Sequence, residues 1–374
     1  MKRKISKQSP VTYVLNIMVA FIAVIIALFA FMPNAVKNQA ESQDVLSIYD
    51  DADYDYIIKN PSDVQIEEFK ASSSTDKVVP FYQVVYTFSV KNVDHEVTIK
   101  SLDDEKDLQY TEFSAKRLLN AKETSGKSIY LDYSFVKEYG LKIGDEIGSG
   151  AMVFIVAGYY KSYDKSIAYA PDLKNVIKSD LSYAGVYVKV ADNNLFSSEI
   201  INSYKPLATL KGRESFSDDA AYQNYLNDFN SKDYSGYIEN KNDKRATSEE
   251  AYTLKSKEAK TSYLIAGILA GAIIFVGIVA IALFNSKNTK YEVVDGGRKK
   301  VISRYTVAGI LGTIMSVVVW CVGVIIIMGQ QSHYITLLQV LSFGWISILV
   351  PVCANILAVV VNILIVRGYK ERKK

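Results

Sequence analysis

The side chains that could do chemistry in this sequence are few and widely spaced. Its two histidines, His95 and His333, lie on separate predicted segments, without Cys, His or acidic neighbours at the spacing of a metal site. The sequence contains neither a Gly-x-Ser-x-Gly elbow nor a nucleotide-binding P-loop, and Gly148-Ser149-Gly150 is typical of a turn. We therefore expect no catalytic residue, metal or cofactor on this chain, and we expect His95 to be a surface residue of a strand.

Two acidic runs and two cysteines complete the set of candidates. Asp50-Asp51 and Asp103-Asp104-Glu105 carry the oxygen ligands that calcium prefers, but acidic runs in a net acidic region are more typical of solvated surfaces. Cys321 and Cys353 both fall inside apolar segments. The polar region between residues 33 and 262 therefore folds without disulfides, and it is large enough to bury its own core.

Four uncharged apolar segments dominate the sequence, and they are the elements that position the rest of the chain. Each has at least the roughly 20 residues that a helix needs to cross a bilayer, and a backbone in lipid must satisfy its own hydrogen bonds. The sequence therefore predicts an α+β integral membrane protein, with four transmembrane helices and a large mixed α/β extracytoplasmic domain between helices 1 and 2. The predicted spans are residues 11–32, 263–284, 305–328 and 341–366.

The orientation follows from the charges that flank these spans. Three short segments, residues 1–10, 285–304 and 367–374, together carry fifteen basic and three acidic residues, whereas the whole chain has a net charge of only +3. Short basic segments remain in the cytoplasm. We therefore predict a cell-membrane protein, of bacterial composition, with both termini and the 285–304 loop inside. The block 33–262 and the short loop 329–340 lie outside.

The first span could alternatively be a cleaved signal peptide. Its apolar core exceeds the usual 7–15 residues, and Met32-Pro33-Asn34-Ala35 is a poor cleavage site, so a retained anchor is favoured. The spans contain no Asp, Glu, Lys or Arg, which argues against a hydrophilic conduit and favours helices that move as rigid bodies. Gly267-x-x-x-Gly271 and Gly309-x-x-Gly312 permit close helix approach, and ordinary packing within the subunit explains both.

The polar block shows strand and helix patterns. The residue after the predicted helix 132–139 is Gly140, which suits a left-handed C-cap. Thr247-Ser248-Glu249-Glu250 fits a capping box, so we expect a helix from Ser248 through the second span, with its outer part forming a stalk beside a helix over 34–49. The alternative is an amphipathic helix elsewhere on the domain. Strands are predicted at 78–91, 93–100, 128–131, 151–160 and 183–190, and a helix at 111–121.

The order of spans and three sequence segments together resemble the ABC-transporter permeases of the MacB/FtsX type. The first segment is Ile129–Ile147, in which a short helix ends in a Gly-Leu-Lys-x-Gly-Asp turn, and the second is Phe154-Ile-Val-Ala-Gly158. The third is Lys290–Ile302, which resembles the family's cytoplasmic coupling segment, where a Glu starts a short apolar helix. This loop is some residues shorter than the family's pattern, with Asp295-Gly296-Gly297 in place of the second half of that helix.

The resemblance implies a transport permease, not an enzyme. It implies a MacB-like core domain at 33–262, in which Gly140, Leu141, Gly144 and Asp145 form a structural turn. ATP and Mg²⁺ would bind a separate cytoplasmic ABC ATPase, and a second permease subunit, identical or related, would complete the transporter. The substrate or partner would be a peptide, a drug, a lipid-linked molecule or an envelope protein, and not nucleic acid. The residues expected to dock the ATPase are Glu292, Arg298, Lys299 and Lys300.

Two other interpretations are open at this stage. The basic loop 285–304 could serve membrane topology alone, without docking anything. The whole chain could be an anchored extracytoplasmic binding or signalling module with no ATPase partner. An enzyme with an outer active site is a third class, which no group of residues in the sequence supports.

Overall fold

The computed structural model describes residues 9–90, 93–113, 126–149, 152–161, 166–177, 181–331 and 337–369. The chain forms two compact units. One is Gln43–Ala251, here called the sheet unit, and the other combines Met1–Ser42 with Tyr252–Lys374 and is called the helix unit.

The described secondary structure alternates between these units along the chain. The α-helices are α1 (Ser9–Asp51), α2 (Asp63–Ala71), α3 (Tyr133–Tyr139), α4 (Leu173–Ile177), α5 (Asn193–Glu199), α6 (Asp219–Ser231), α7 (Lys241–Phe284), α8 (Ser286–Gly296), α9 (Arg298–Gln331) and α10 (Leu337–Gly368). The strands are β1 (Tyr56–Lys59), β2 (Thr75–Val90), β3 (Val93–Leu102), β4 (Ser128–Asp132), β5 (Glu146–Ser149), β6 (Met152–Tyr160), β7 (Ile167–Tyr169), β8 (Gly185–Val190) and β9 (Ile238–Asn240).

Four helices, α1, α7, α9 and α10, are long and apolar enough to cross a membrane by length and composition. They contain the four predicted spans, and the mixed sheet unit is formed by the chain between the first two, so the predicted fold class is confirmed. Helix α1 continues past the predicted span end at residue 32 to Asp51, and Pro33 lies inside it without ending it. Helix α7 has 44 residues. At 1.5 Å per residue it is about 66 Å long, roughly twice the thickness of the hydrocarbon core.

Small residues and one asparagine hold the helix unit together. A Cβ on Gly267 would lie 2.9 Å from the carbonyl oxygen of Ile346, so only glycine lets α7 approach α10 this closely. The Asn355 side-chain amide donates to the carbonyl of Gly309 and the hydroxyl of Thr313, both at 2.8 Å, which joins α10 to α9. The small-residue spacings in the sequence therefore serve packing within this chain.

The sheet unit is built on one mixed sheet in the order β5-β6-β4-β7-β3-β2-β8-β1-β9. The pairs β3–β7 and β4–β6 are parallel, and the other neighbours are antiparallel. Strands β2 and β3 form a long hairpin whose register runs from Phe81↔Leu102 to Val90↔Val93. This hairpin confirms the antiparallel pair that the β-branched and aromatic residues of 78–100 predict.

The two faces of the sheet have different cores. In β8, Val186 and Val188 pack with residues of α2 and α5, whereas Tyr187 between them belongs to a tyrosine-rich cluster on the other face. Further along the sheet, α3 and α4 cover the same face as α2 and α5 through Phe135 and Leu173. The tyrosine-rich cluster also contains Ala52, directly after α1, so this face is the one that meets the end of that helix.

The expected capping box before the second span is wrong. Helix α7 begins at Lys241, directly after β9, so Thr247 lies inside it and its hydroxyl donates to the carbonyl of Asp243 at 3.0 Å. Residues 241–246 contain Lys, Arg and Ala, which propagate a helix well, so a Ser/Thr-x-x-Glu pattern has no terminus to cap here. The unbroken helix that the capping box was meant to start is nevertheless present, and it is longer than predicted.

His95 lies in strand β3 as expected, but it is half-buried and not fully exposed. Its ring lies edge-on to Phe135, with centroids 5.2 Å apart, and to Tyr139, at 4.6 Å, so α3 partly covers it. The predicted helix over 111–121 lies mostly outside the described residues. Its first three residues are not helical, and Phe113 is buried in the tyrosine-rich cluster.

Candidate functional site

The basic loop after α7 is an ordered helix in the structure. Helix α8 ends at Gly296 and is capped by Gly297, whose φ of 81° lies in the left-handed region. Val293 of α8 is fully buried against Val301 and Tyr305 of α9 and Val366 of α10. Side-chain packing therefore fixes α8 onto the ends of two membrane-span helices. The helix begins at Ser286 and not at Glu292, where the family's pattern would start it.

Two of the four residues expected to dock an ATPase make contacts within the chain. Glu292 accepts a hydrogen bond from Arg304, with an N–O distance of 3.3 Å, and both side chains are about one-third exposed. Arg298 donates to the carbonyl of Tyr369 at 2.7 Å. Both residues thus help to hold α8, the start of α9 and the end of α10 together. Lys299 and Lys300 are exposed at the start of α9.

Helix α8 presents a further surface that the sequence reasoning missed. Its buried side contains Thr289 and Val293, four residues apart, and its other side exposes Lys287, Lys290 and Tyr291, the last at 65%. This 3.6-residue periodicity is the signal that could have identified the exposed side. A basic surface with one tyrosine is suited to binding an acidic protein surface.

The Gly-Leu-Lys-x-Gly-Asp segment forms a compact turn. Gly140 has a φ of 61°, and its N–H and that of Leu141 donate to the carbonyls of Lys137 and Val136, which is the Schellman arrangement that closes α3. The Asp145 carboxylate then accepts the N–H of Lys142 at 2.7 Å. Gly144, with a φ of 97°, donates to Val156 of β6 at 2.8 Å. These contacts join the end of α3 to β6.

Helix α7 follows a strand directly, and a short hydrogen-bonded connection joins α1 to the neighbouring strand. Strand β9 leads into α7 without an intervening residue, and it pairs with β1 in the register Tyr56↔Asn240. Residues 52–55 connect α1 to β1, and the N–H groups of Asp53 and Asp55 donate to Gln109 and Val188, both at 2.8 Å. We call residues 44–56 and 238–250 the joint. It has no free loop that could absorb a displacement of either helix.

Charged side chains reinforce the joint. The Lys241 ammonium donates to the carbonyl of Ala52 at 2.9 Å, and burial lowers the pKa of this lysine, an effect that the nearby carboxylate of Asp55 partly opposes. One turn further along α7, Arg245 pairs with Asp50 at 2.7 Å. These contacts link the start of α7 to the end of α1.

A nearly buried ion pair ties α1 to the sheet. Lys161, directly after β6, lies 3.1 Å from the carboxylate of Asp44, and the two side chains are only 9% and 17% exposed. Lys189 of β8 pairs with Asp53 at 3.1 Å and with Asp55 at 3.5 Å. Burial lowers the pKa of Lys189, but these two carboxylates more than offset it and raise the pKa above its usual value.

A further polar cluster of the sheet unit surrounds Asp103. Asp103 accepts hydrogen bonds from Tyr183 at 2.6 Å and Tyr82 at 3.0 Å, and Lys174 lies 3.3 Å away. Burial raises the pKa of the Asp103 carboxyl, but the two hydroxyls and the Lys174 charge lower it below its usual value. Among the described residues, no group of three or more His, Cys, Asp or Glu is placed to hold a metal ion. His333 lies outside them.

Comparisons with known proteins find similar structures but no similar sequence. No family model matches the sequence, and no curated protein matches it. One similar structure is the extracellular domain of the noncanonic ABC-type transporter YknZ from Gram-positive bacteria, with 16% identity, coverage of 38% of this chain and 87% of that one, and a TM-score of 0.30. Another is the periplasmic region of MacB from Actinobacillus actinomycetemcomitans, with 13% identity, coverage of 53% and 94%, and a TM-score of 0.30. At these identities and scores, the function rests on the chain's own residues.

Proposed function

We propose that this chain is a permease subunit of an ABC transporter of the MacB/FtsX type. In this proposal a cytoplasmic ATPase binds the α8 surface, and its ATP-driven conformational change is transmitted by α1 and α7 to an extracytoplasmic sheet unit. The work is done on a peptide, drug or lipid-linked substrate, or on an envelope partner. The observation that carries the proposal is that both helices continue beyond their apolar spans and enter paired strands of one sheet.

The mechanics follow from the stiffness of helices. A 44-residue helix has every interior backbone group hydrogen-bonded, so a tilt at one end displaces the other end. Two such helices joined to adjacent strands impose the displacement on the sheet and not on a loop. The spans provide no charged pathway for a solute. In this proposal the span helices therefore move and do not conduct a solute.

The cytoplasmic end of the proposal rests on the surface of α8 and the start of α9. Lys287, Lys290, Tyr291, Lys299 and Lys300 are exposed there, and α8 is fixed to α9 and α10 by Val293. A force applied to α8 therefore reaches the spans. We propose Lys299 and Lys300 as the docking residues because both are exposed, whereas Glu292 and Arg298 make contacts within the chain.

Extraction of the chain from native membranes in mild detergent, followed by mass spectrometry, tests the proposal. We expect a stoichiometric cytoplasmic ATPase with the wild-type chain and a several-fold lower recovery with Lys299→Glu and Lys300→Glu. The matched control is Lys257→Glu with Lys260→Glu, which makes the same charge change at exposed positions of α7. If an envelope protein is recovered reproducibly and no ATPase, the chain is an anchored binding module and the loop serves topology alone.

The proposed orientation has a separate test. After Cys321 and Cys353 are replaced by serine, a cysteine introduced at Ser73 should react with an impermeant thiol reagent applied to intact cells. A cysteine introduced at Ser286 should react only after the membrane is opened. The reverse pattern would place the sheet unit in the cytoplasm and contradict the proposal.

A further inference from the structure

Lys241, in the joint, contacts both ends of the segment 52–55 that connects α1 to β1. It is the first residue of α7 and directly follows β9. Its backbone N–H donates to the carbonyl of Asp55 at 2.8 Å, and its ammonium donates to the carbonyl of Ala52 at 2.9 Å. The start of α7 is therefore bonded to both ends of the four-residue connection that leaves α1.

This placement is unfavourable for α7 considered alone. A cation in the first turn lies at the positive end of the helix dipole, where acidic residues are preferred. The Lys241 ammonium instead reaches the carboxyl-terminal end of α1, where unpaired carbonyls favour a cation. It also lies 5.7 Å from the ring centroid of Tyr54. The presence of a lysine at this position is thus explained by its contact with the end of α1 and not by the stability of α7.

We infer that Lys241 is the positioning residue that makes the end of α1, the start of α7 and the β1–β9 pair move as one body. The inference rests on the proposed function, because it assigns the residue through which the two helices act together on the sheet. The neighbouring Arg245–Asp50 pair is about 40% exposed on both sides, so it contributes little on its own. Without the Lys241 ammonium the helix ends should separate, while the sheet stays folded.

Three variants of the full chain, purified with its native ATPase, separate this role from a general effect of charge. Lys241→Met removes the ammonium and keeps the aliphatic stem, and Lys241→Arg restores a cation. The matched control is Lys244→Met, because Lys244 is exposed on the same helix and lies 4.0 Å from its nearest acid, Glu239. Hydrogen exchange of the Asp53 and Asp55 amides should be about ten-fold faster in Lys241→Met, as expected for loss of one charged hydrogen bond. The exchange rate of these amides should be close to wild type in Lys241→Arg and Lys244→Met.

The second readout is the movement itself. Spin labels at Ser73, in the sheet unit, and at Gly329, near the end of α9 and on a helix that leads into no strand, report the displacement of the sheet unit caused by a non-hydrolysable ATP analogue in a cysteine-free background. We expect the wild type, Lys241→Arg and Lys244→Met to show the full change, and Lys241→Met to show less than half of it. Exchange in the β2–β3 hairpin should be the same in all variants.

The outcomes separate the two proposals. If the wild type shows no change in distance, the proposed function fails and the inference fails with it. If the wild type moves and Lys241→Met moves equally, the inference is overturned and the proposed function stands. If Lys241→Met also exposes the β2–β3 hairpin to exchange, Lys241 is a folding residue and the inference is likewise overturned.

Discussion

The ion pair between Lys161 and Asp44 allows a quantitative prediction about how α1 is held. At 3.1 Å and an effective dielectric constant near 20, the two charges attract each other by about 5 kcal/mol, and desolvation of side chains only 9% and 17% exposed offsets part of this. Removing one partner leaves the other charge nearly buried, which typically costs about 3–5 kcal/mol. We therefore predict that Lys161→Met and Asp44→Asn each destabilise the end of α1 by about 3 kcal/mol. The double variant should cost about 2 kcal/mol less than the sum.

Hydrogen exchange of the intact protein measures the destabilisation of the end of α1, because the exchange rates of the amides of residues 44–52 give the free energy of local opening. Tryptophan fluorescence would not serve, since Trp320 and Trp345 both lie in predicted spans. The control pair is Lys174–Asp103, which has a similar length of 3.3 Å but side chains that are each 49% exposed. Its coupling energy should be about 0.2–1 kcal/mol. If the effects of Lys161→Met and Asp44→Asn simply add, the ion pair does not hold the helix and the reasoning is refuted.

Three further predictions concern the turn, the surface carboxylate and the helix contact. Gly140→Ala should lower the free energy of unfolding by about 1–2 kcal/mol because of its positive φ, whereas Gly236→Ala should have little effect in denaturant titrations. The pKa of Asp103 is lower in the folded state than in the unfolded state, where it is about 3.9. The Asp103 carboxylate therefore contributes fully to the free energy of unfolding above about pH 5, and this contribution is lost as the pH falls through the folded pKa. Asp103→Asn should flatten that part of the acid-unfolding curve, and an unchanged curve would contradict the assignment. Gly267→Leu should lower the thermal midpoint in detergent, because overpacking costs about 1–3 kcal/mol. Gly329→Leu should not lower it, because a Cβ added at Gly329 has no neighbouring atom within 4 Å.

Much of the fold could be predicted from the sequence because its signals are local. The uncharged runs identify the spans, since charge is costly in lipid wherever it occurs in the chain. The alternating β-branched and aromatic residues of 78–100 identify the β2–β3 hairpin. Gly140 identifies the end of α3, since only glycine adopts a left-handed C-cap without strain.

What the sequence could not give depends on contacts between distant residues. Asp44 and Lys161 are 117 positions apart, and Arg298 and the Tyr369 carbonyl are 71 apart, so no local pattern marks either contact. The capping box failed because Thr247 has a cap's spacing but sits within a helix that starts at a strand end. For the same reason, the internal roles of Glu292 and Arg298 were invisible until α8 was seen packed on its neighbours.

The central claim is that the two long helices carry an ATPase's conformational change to the sheet unit. The measurement that tests it most directly is the distance between spin labels at Ser73, in the sheet unit, and Gly329, near the end of α9, in the wild-type chain with its co-purified ATPase, with and without a non-hydrolysable ATP analogue. The account predicts a nucleotide-dependent shift that Lys299→Glu with Lys300→Glu reduces. An unchanged distance in a complex whose ATPase has bound the nucleotide would contradict it.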